Sequence, residues 1–125
     1  MSVPSISARL VLAAALALAA PLPAAAEFLF VSPSADKQNR VYWVDRFTGS
    51  VGACQYQTSG GPNGSMLCFP PGEGAQAMPS GDYDLKASTW KDEWGVFRLN
   101  RLTGEMSLCF VREDKVVCTP QAIAR

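Results

Sequence analysis

The chain has 125 residues and no histidine. Histidine is the usual general base near neutral pH, the usual activator of serine and cysteine nucleophiles and a common zinc ligand. Its absence excludes Ser-His and Cys-His nucleophile activation, histidine-ligated zinc and imidazole general-base catalysis. This removes many hydrolase mechanisms, and carboxylate pairs remain as candidate acids and bases.

An excess of charge of either sign is also absent. Lys and Arg together number 11, Asp and Glu together number 11, and no block of like charges occurs. Such a chain has no electrostatic signature of binding to nucleic acid or to anionic lipid. The acidic residues lack the spacing of a calcium-binding loop, and there is no Cys-x-x-Cys motif. We therefore expect no metal, no cofactor and no nucleic-acid partner.

The first 26 residues have the features of a cleaved export signal. Arg9 precedes an apolar run of eleven residues, LVLAAALALAA, and Ala24 and Ala26 form an Ala-x-Ala cleavage pattern. The run is shorter than the roughly 20 residues that a membrane-spanning helix needs. No cysteine lies at the cleavage point, which argues against a lipid anchor. The sequence predicts a periplasmic or extracellular domain of 125 − 26 = 99 residues that begins near Glu27 and leaves the membrane after cleavage.

Two similar segments dominate the remainder. VYWVDRFTGSVGAC runs from Val41 to Cys54 and VFRLNRLTGEMSLC runs from Val96 to Cys109, at an offset of 96 − 41 = 55 residues. Alternating apolar and polar residues predict a strand, and Asp/Asn-x-x-Thr-Gly predicts a tight turn closed by a glycine with positive φ. Each segment then reaches a second cysteine on a short strand, SMLCF or KVVCT. A duplicated β unit is the economical interpretation.

A further strand is expected before each segment, at Phe28–Ser32 and at Asp82–Ser88. Each repeat is then a four-stranded antiparallel meander, covering about residues 27–70 and 82–120, and a Pro/Gly-rich linker at 70–81 joins the two. No helical period is sustained outside the signal. We predict a single all-β domain of about eight strands, arranged as a sandwich or as a small barrel.

The cysteine content predicts a disulfide-stapled domain, because an even number of cysteines in a small exported chain usually forms disulfides. The four are Cys54, Cys68, Cys109 and Cys118. We favour a local bond in each repeat, Cys54 with Cys68 and Cys109 with Cys118. A turn at Glu113 and Asp114 would place the second pair directly opposite on adjacent strands. The rival is a bond between the equivalent cysteines Cys54 and Cys109.

The second repeat resembles a known sequence pattern. GDYDLKAS followed by VFRLNRLTGEMSLC and a short hairpin is similar to a repeat in small exported proteobacterial proteins, with Asn100 where that pattern usually has Asp. The resemblance implies export and a duplicated β unit, and it implies no activity. NRVYWVD and DRFTGSV also look like strand-and-turn elements of β-propeller blades. Because a propeller needs at least about four blades, two blades do not close one unless several chains assemble.

Exposed aromatic residues are the best candidates for a binding role. If Tyr42 and Val44 face the core, Trp43 points to the other side of its strand, where an indole can stack on a sugar ring or fill a partner's pocket. Arg98 holds the equivalent position in the second repeat. The candidate binding residues are Trp43, Arg98, Trp90 and Trp94. We predict a non-catalytic exported binding module that engages an envelope or extracellular protein or a glycan.

The alternative is a small exported hydrolase that uses carboxylates on a polysaccharide. Its candidate acids form three close pairs: Asp82 with Asp84, Asp92 with Glu93, and Glu113 with Asp114. We expect most of them to be solvated residues of turns. Arg46 and Arg101 recur just before the two turns. They could form a pair of anion-binding points, but we expect each to cover its hairpin or to pair with a nearby carboxylate.

Overall fold

The computed structural model describes residues 2–5, 25–33, 39–89 and 95–125. These residues form eight strands and no helix, so none of them belongs to a helix that could cross a membrane. The strands are β1 Phe28–Val31, β2 Arg40–Asp45, β3 Val51–Gln57, β4 Ser65–Phe69, β5 Tyr83–Ala87, β6 Val96–Asn100, β7 Met106–Arg112 and β8 Lys115–Cys118. Most of the predicted export signal, residues 6–24, lies outside the described ranges.

The strands form two four-stranded antiparallel sheets in the orders β1-β2-β3-β4 and β5-β6-β7-β8. Each sheet is a meander of consecutive strands, which confirms the all-β prediction. The sheets pack face to face, with β1 and β2 close to β5 and with β3 close to β8. No described strand of one sheet pairs with a strand of the other, so the arrangement is a sandwich rather than a barrel.

The turns after β2 and β6 are held by the same hydrogen bonds. The Asp45 carboxylate accepts from Phe47 N at 2.9 Å, and the Asn100 side-chain oxygen accepts from Leu102 N at 3.1 Å. The glycines that close them, Gly49 and Gly104, have φ of 74° and 77°. A residue with a Cβ is strained in this region, which explains glycine at both turns. The predicted tight turns are confirmed.

The segment from Pro70 to Gly81 is tied to both sheets. Pro71 forms an isolated parallel bridge with Val116 on the free edge of β8, and Gly72 N donates to Val116 O at 2.6 Å. Ala75 is fully buried, and its carbonyl accepts a hydrogen bond of 2.8 Å from Val51 N at the start of β3. The predicted linker is therefore a packed strap that covers an edge strand, a common protection against unwanted strand pairing.

Both favoured disulfides are present. Cys54–Cys68 joins β3 to β4 with a Cα–Cα distance of 4.0 Å, and Cys109–Cys118 joins β7 to β8 at 4.1 Å. Glu113 and Asp114 form the predicted turn between β7 and β8, both with positive φ. That two-residue turn sets the register that places the second pair of cysteines opposite each other.

The core lies between the two sheets and is formed by residues that share one face of each. Its members are Tyr42, Val44, Val51, Ala53, Phe69, Ala75, Tyr83, Leu85, Val96, Cys109, Val116 and Cys118. Since side chains alternate along a strand, burial of Tyr42 and Val44 directs Trp43 to the outer face of the first sheet. In the second sheet the inward positions of β6 are Val96, Arg98 and Asn100.

Candidate functional site

Trp43 lies on the outer face of the first sheet, where its neighbours are set by strand register. Its backbone pairs with Phe30 on β1 and with Gly52 on β3. The Phe28 ring meets the indole edge-on, with 5.4 Å between centroids and an interplanar angle of 89°. Such edge-to-face pairs favour one orientation of the ring. The outward placement expected for Trp43 is observed, and its side chain is half-buried.

Gly52 allows the Trp43 indole to lie flat across β3. A Cβ built at position 52 would overlap the indole ring. Glycine in a strand usually marks a close approach of another group, and here that group is the tryptophan ring. The absence of a side chain at position 52 therefore allows the half-buried indole to lie against the backbone of β3.

Phe28 and Phe30 lie beside Trp43, and Tyr56 and Met66 lie on the same face beyond the Cys54–Cys68 disulfide. Phe30 is 65% exposed, Phe28 45%, Tyr56 47% and Met66 59%. We call Phe28, Phe30, Trp43, Tyr56 and Met66 the aromatic face. Scattered exposed apolar residues need no explanation, but several large exposed apolar residues on one face of a sheet commonly mark an interaction site. Of this group, only Trp43 was predicted from the sequence to be a binding residue. The alternation of Phe28 and Phe30 with Leu29 could have shown that both phenylalanines share one face of β1.

Arg98 does not belong to that face, and its predicted exposure is wrong. Its side chain is buried, with 4% exposure, on the core-facing side of the second sheet. One guanidinium nitrogen donates to Gly49 O at 2.8 Å, and the other terminal nitrogen donates to Gly74 O at 2.9 Å and to Ser107 Oγ at 3.4 Å. Arg98 thus joins its own sheet to the first turn and to the linker strap.

The physical reason is that equivalent positions of the two repeats face opposite ways relative to the core. Trp43 and Arg98 are 98 − 43 = 55 residues apart, yet one points outward and the other inward. Burial lowers the pKa of Arg98 from its ordinary value, with Tyr83 and Glu105 opposing this shift. Among the described residues, no carboxylate lies within ion-pair distance of the guanidinium, so backbone carbonyls are its main partners.

The other two predicted binding residues, Trp90 and Trp94, lie outside the described residues, as do Asp92 and Glu93 of the alternative enzyme. Of the described candidate acids, Asp82 and Asp84 have structural partners, and Glu113 and Asp114 are exposed in the turn between β7 and β8. Asp82 accepts from Arg46 at 3.0 Å and lies 3.7 Å from Arg101. Asp84 accepts from Leu85 N at 2.8 Å.

The prediction that both turn arginines pair with carboxylates is confirmed. Arg46 contacts Asp82 and also Glu27, at 2.8 Å, and Arg101 shares the same Asp82. These hydrogen bonds, first to Asp82 and then to Glu27, raise the pKa of Arg46. The cluster connects the first residue of the predicted mature chain to both turns, so its role is explained by the fold.

A groove with a volume of about 700 Å³ lies beside Arg98. Its walls come from the linker, the turn before β7 and the residues after β8, and they include the exposed acids Glu73 and Glu105. The terminal guanidinium nitrogens of Arg98 donate to protein oxygens. Within the described ranges no group of three or more His, Cys, Asp or Glu residues is placed to hold a metal ion.

Tyr83 gives the fold a testable pH dependence. Its buried hydroxyl donates to Pro79 O at 2.8 Å, and burial raises the pKa of Tyr83 above its ordinary value of 10.0. Because the folded state holds this proton more tightly, the stabilisation is complete below about pH 10 and is lost as pH rises through the higher folded pKa.

We expect Tyr83→Phe to lower the free energy of unfolding at pH 7.5 by about 1 kcal/mol, through loss of the hydrogen bond. The difference between variant and wild type should narrow above pH 10, and urea denaturation at pH 7.5 and 10.5 measures it. Tyr56→Phe, at an exposed tyrosine, is the matched control. An equal difference at both pH values would contradict the prediction.

Comparisons with protein-family models, with curated proteins and with solved structures find no match to this chain. The fold and the aromatic face therefore supply the grounds on which a function is proposed.

Proposed function

We propose that this protein is an exported, non-catalytic binding module and that the aromatic face is its binding surface. The observation that carries the proposal is the seating of Trp43 on Gly52, flanked by Phe28 and Phe30, on the side of the sheet away from the core. Trp and Tyr are enriched among the residues that dominate binding energy, because they bury a large area at a small entropic cost.

A binding role fits the chemistry better than the carboxylate hydrolase. The sequence has no histidine, and the described acids Asp82, Asp84 and Asp45 accept hydrogen bonds from Arg46 or from backbone N–H groups. A hydrolase of this kind needs one carboxyl to donate a proton and a second to act as base or nucleophile across a cleft. The aromatic face has no such pair, and its side chains are suited to contact rather than to proton transfer.

Export is part of the same proposal. Two disulfides in a small all-β domain are consistent with an oxidising compartment, where such bonds persist. The apolar run and Ala-x-Ala pattern at the N-terminus support cleavage before Glu27 and release into the periplasm or the medium. The partner class that this surface accommodates is an envelope or extracellular protein or a glycan.

The test compares Trp43→Ala with wild type, both purified after export. Ligands are sought by pull-down from envelope extract and on a glycan array, and the dissociation constant of each captured ligand is then measured. Loss of a central aromatic anchor costs about 2 kcal/mol or more, so we expect binding to weaken at least about 30-fold. Thermal unfolding should change little, because the indole lies outside the core.

Leu102→Ala is the matched control, since Leu102 is 74% exposed on a turn away from the aromatic face. It should bind as wild type does. Unchanged affinity in Trp43→Ala would remove the aromatic face from the proposal. Turnover of a polysaccharide that Asp84→Asn abolishes would replace the binding module with the enzyme.

A further inference from the structure

The two sheets bury opposite faces of equivalent strands. In the first sheet Tyr42 and Val44 face the core, whereas their counterparts 55 residues later, Phe97 and Leu99, lie on the outer face of the second sheet. The same inversion holds for the disulfides. Cys54–Cys68 lies on the outer side of the first sheet, and Cys109–Cys118 lies in the core.

This inversion means that the units stack in one direction. If equivalent faces met, the sandwich would have a twofold relation between the repeats and two identical outer surfaces. Instead, the first unit sets its Tyr42 side against the Cys109 side of the second, as consecutive blades do in a propeller. A stack of this kind has two different free faces, one at each end.

The free face of the second unit is apolar along three strands. We call Phe97, Leu99, Met106, Leu108, Phe110 and Val117 the trailing face. Phe97 is 39% exposed and Met106 is 54% exposed, and the others are half-buried. The charged residues on this face are Asp84 and Lys86 on β5, where the first unit has Leu29 and Val31, and Arg112 and Lys115 beside the turn between β7 and β8.

We propose that the trailing face of one chain docks on the aromatic face of a second copy, and that chains joined in this way close into a ring. The inference rests on the proposed function and names the partner of the aromatic face. Propellers typically contain about four to eight blades, and each chain supplies two, so the ring contains two to four chains. Head-to-tail contacts generate rings when the rotation between copies closes.

The junction inside the chain is the reason to choose a second copy over another partner. Inside the chain, the Tyr42 face of the first sheet packs against the Cys109 face of the second. The trailing face is equivalent to the Tyr42 face and the aromatic face is equivalent to the Cys109 face. Two chains can therefore make the same kind of contact. The new contact therefore continues an established interface. The formal net charge of 0 also leaves little long-range repulsion between copies.

The experiment measures the mass of the exported, processed protein by sedimentation equilibrium over a wide concentration range. We expect a closed species of two to four chains whose mass stops increasing with concentration. Phe30→Glu disrupts the aromatic face and Phe97→Glu disrupts the trailing face, and each variant alone should be a monomer. Leu102→Glu, on neither face, should keep the wild-type mass.

Mixing the two monomeric variants is the decisive step. Phe30→Glu retains a trailing face and Phe97→Glu retains an aromatic face, so the mixture should form a 1:1 dimer with one junction and grow no further. Met106→Glu replaces Phe97→Glu if that variant unfolds, as circular dichroism would show.

Three outcomes would overturn the ring: a wild-type monomer at every concentration, open filaments, or dimers of one variant alone. The proposed function fails separately. If wild type is monomeric but Trp43→Ala still loses a captured ligand, the aromatic face binds something other than a second copy.

Discussion

Arg98→Ala is expected to lower the free energy of unfolding by about 3 kcal/mol or more. The substitution removes the N–H donors to Gly49 O and Gly74 O, and a buried carbonyl left without a partner costs about 1 to 3 kcal/mol. It also removes the packed aliphatic part of a side chain that is 4% exposed. The contacts that are lost join the second sheet to the first turn and to the linker strap.

Three further variants separate the parts of this effect. Arg98→Met keeps the aliphatic stem and removes both a buried charge and the donors, so it should destabilise less than alanine does. Arg98→Lys keeps the charge, but a single ammonium cannot reproduce the fork that reaches two segments. Ser107→Ala removes only the 3.4 Å contact and should cost less than about 1 kcal/mol.

Urea denaturation of the four variants measures these differences. An Arg98→Ala protein with a wild-type midpoint would show that water replaces the guanidinium without loss, and that the cross-link contributes nothing to stability.

The elements that could be predicted from the sequence depend on local chemistry. Strands follow from alternation, and the turns after β2 and β6 follow from side chains that bind the backbone two residues on, at Asp45 and Asn100. The second disulfide follows from the two-residue turn that sets its register. Each of these depends on residues close together in the chain, so no knowledge of the packing was needed.

The direction of each face could not be predicted in the same way. Both faces of each sheet carry apolar residues, as Phe97 and Val96 show for β6, so alternation alone does not reveal which side is buried. A charged residue in a strand is normally placed toward solvent. Arg98 is buried because the carbonyls of Gly49 and Gly74 converge on it, and they come from positions 49 and 24 residues away in the chain.

The candidate site also has a part that could be predicted from nearby residues and a part that could not. Trp43 was placed on an outer face because its strand neighbours are large and apolar, and this inference is local. Its extension by Phe28 and Phe30 depends on the register between β1 and β2, which the sequence does not reveal. The trailing face was not identified because alternation places Phe97 and Leu99 on one face of β6 but does not show that this face is the outer one.

The second large effect is expected from the two disulfides, which should contribute unequally. Each closes a short loop, with sequence separations of 14 and 9 residues, and the chain-entropy model gives about 3 kcal/mol for either. Cys109 and Cys118 are 0% and 6% exposed, so replacing both with alanine also leaves a cavity in the core. Cys54 is half-buried and Cys68 is exposed on the outer side of the first sheet.

We therefore expect the double variant Cys109→Ala/Cys118→Ala to lose about 4 to 5 kcal/mol and Cys54→Ala/Cys68→Ala to lose about 3 kcal/mol or less. Urea denaturation of oxidised protein measures both, and each double variant serves as the control for the other. Equal losses would show that the core around Cys109 rearranges to fill the space left by the missing sulfur atoms.

Titration with dithiothreitol gives an independent measurement. The exposed bond at Cys68 should be reduced first in the monomeric Phe30→Glu protein, because a thiolate reaches only a sulfur that is accessible to solvent. If the buried bond opens first, the second sheet separates from the first before global unfolding, and the core junction is then the weaker of the two contacts.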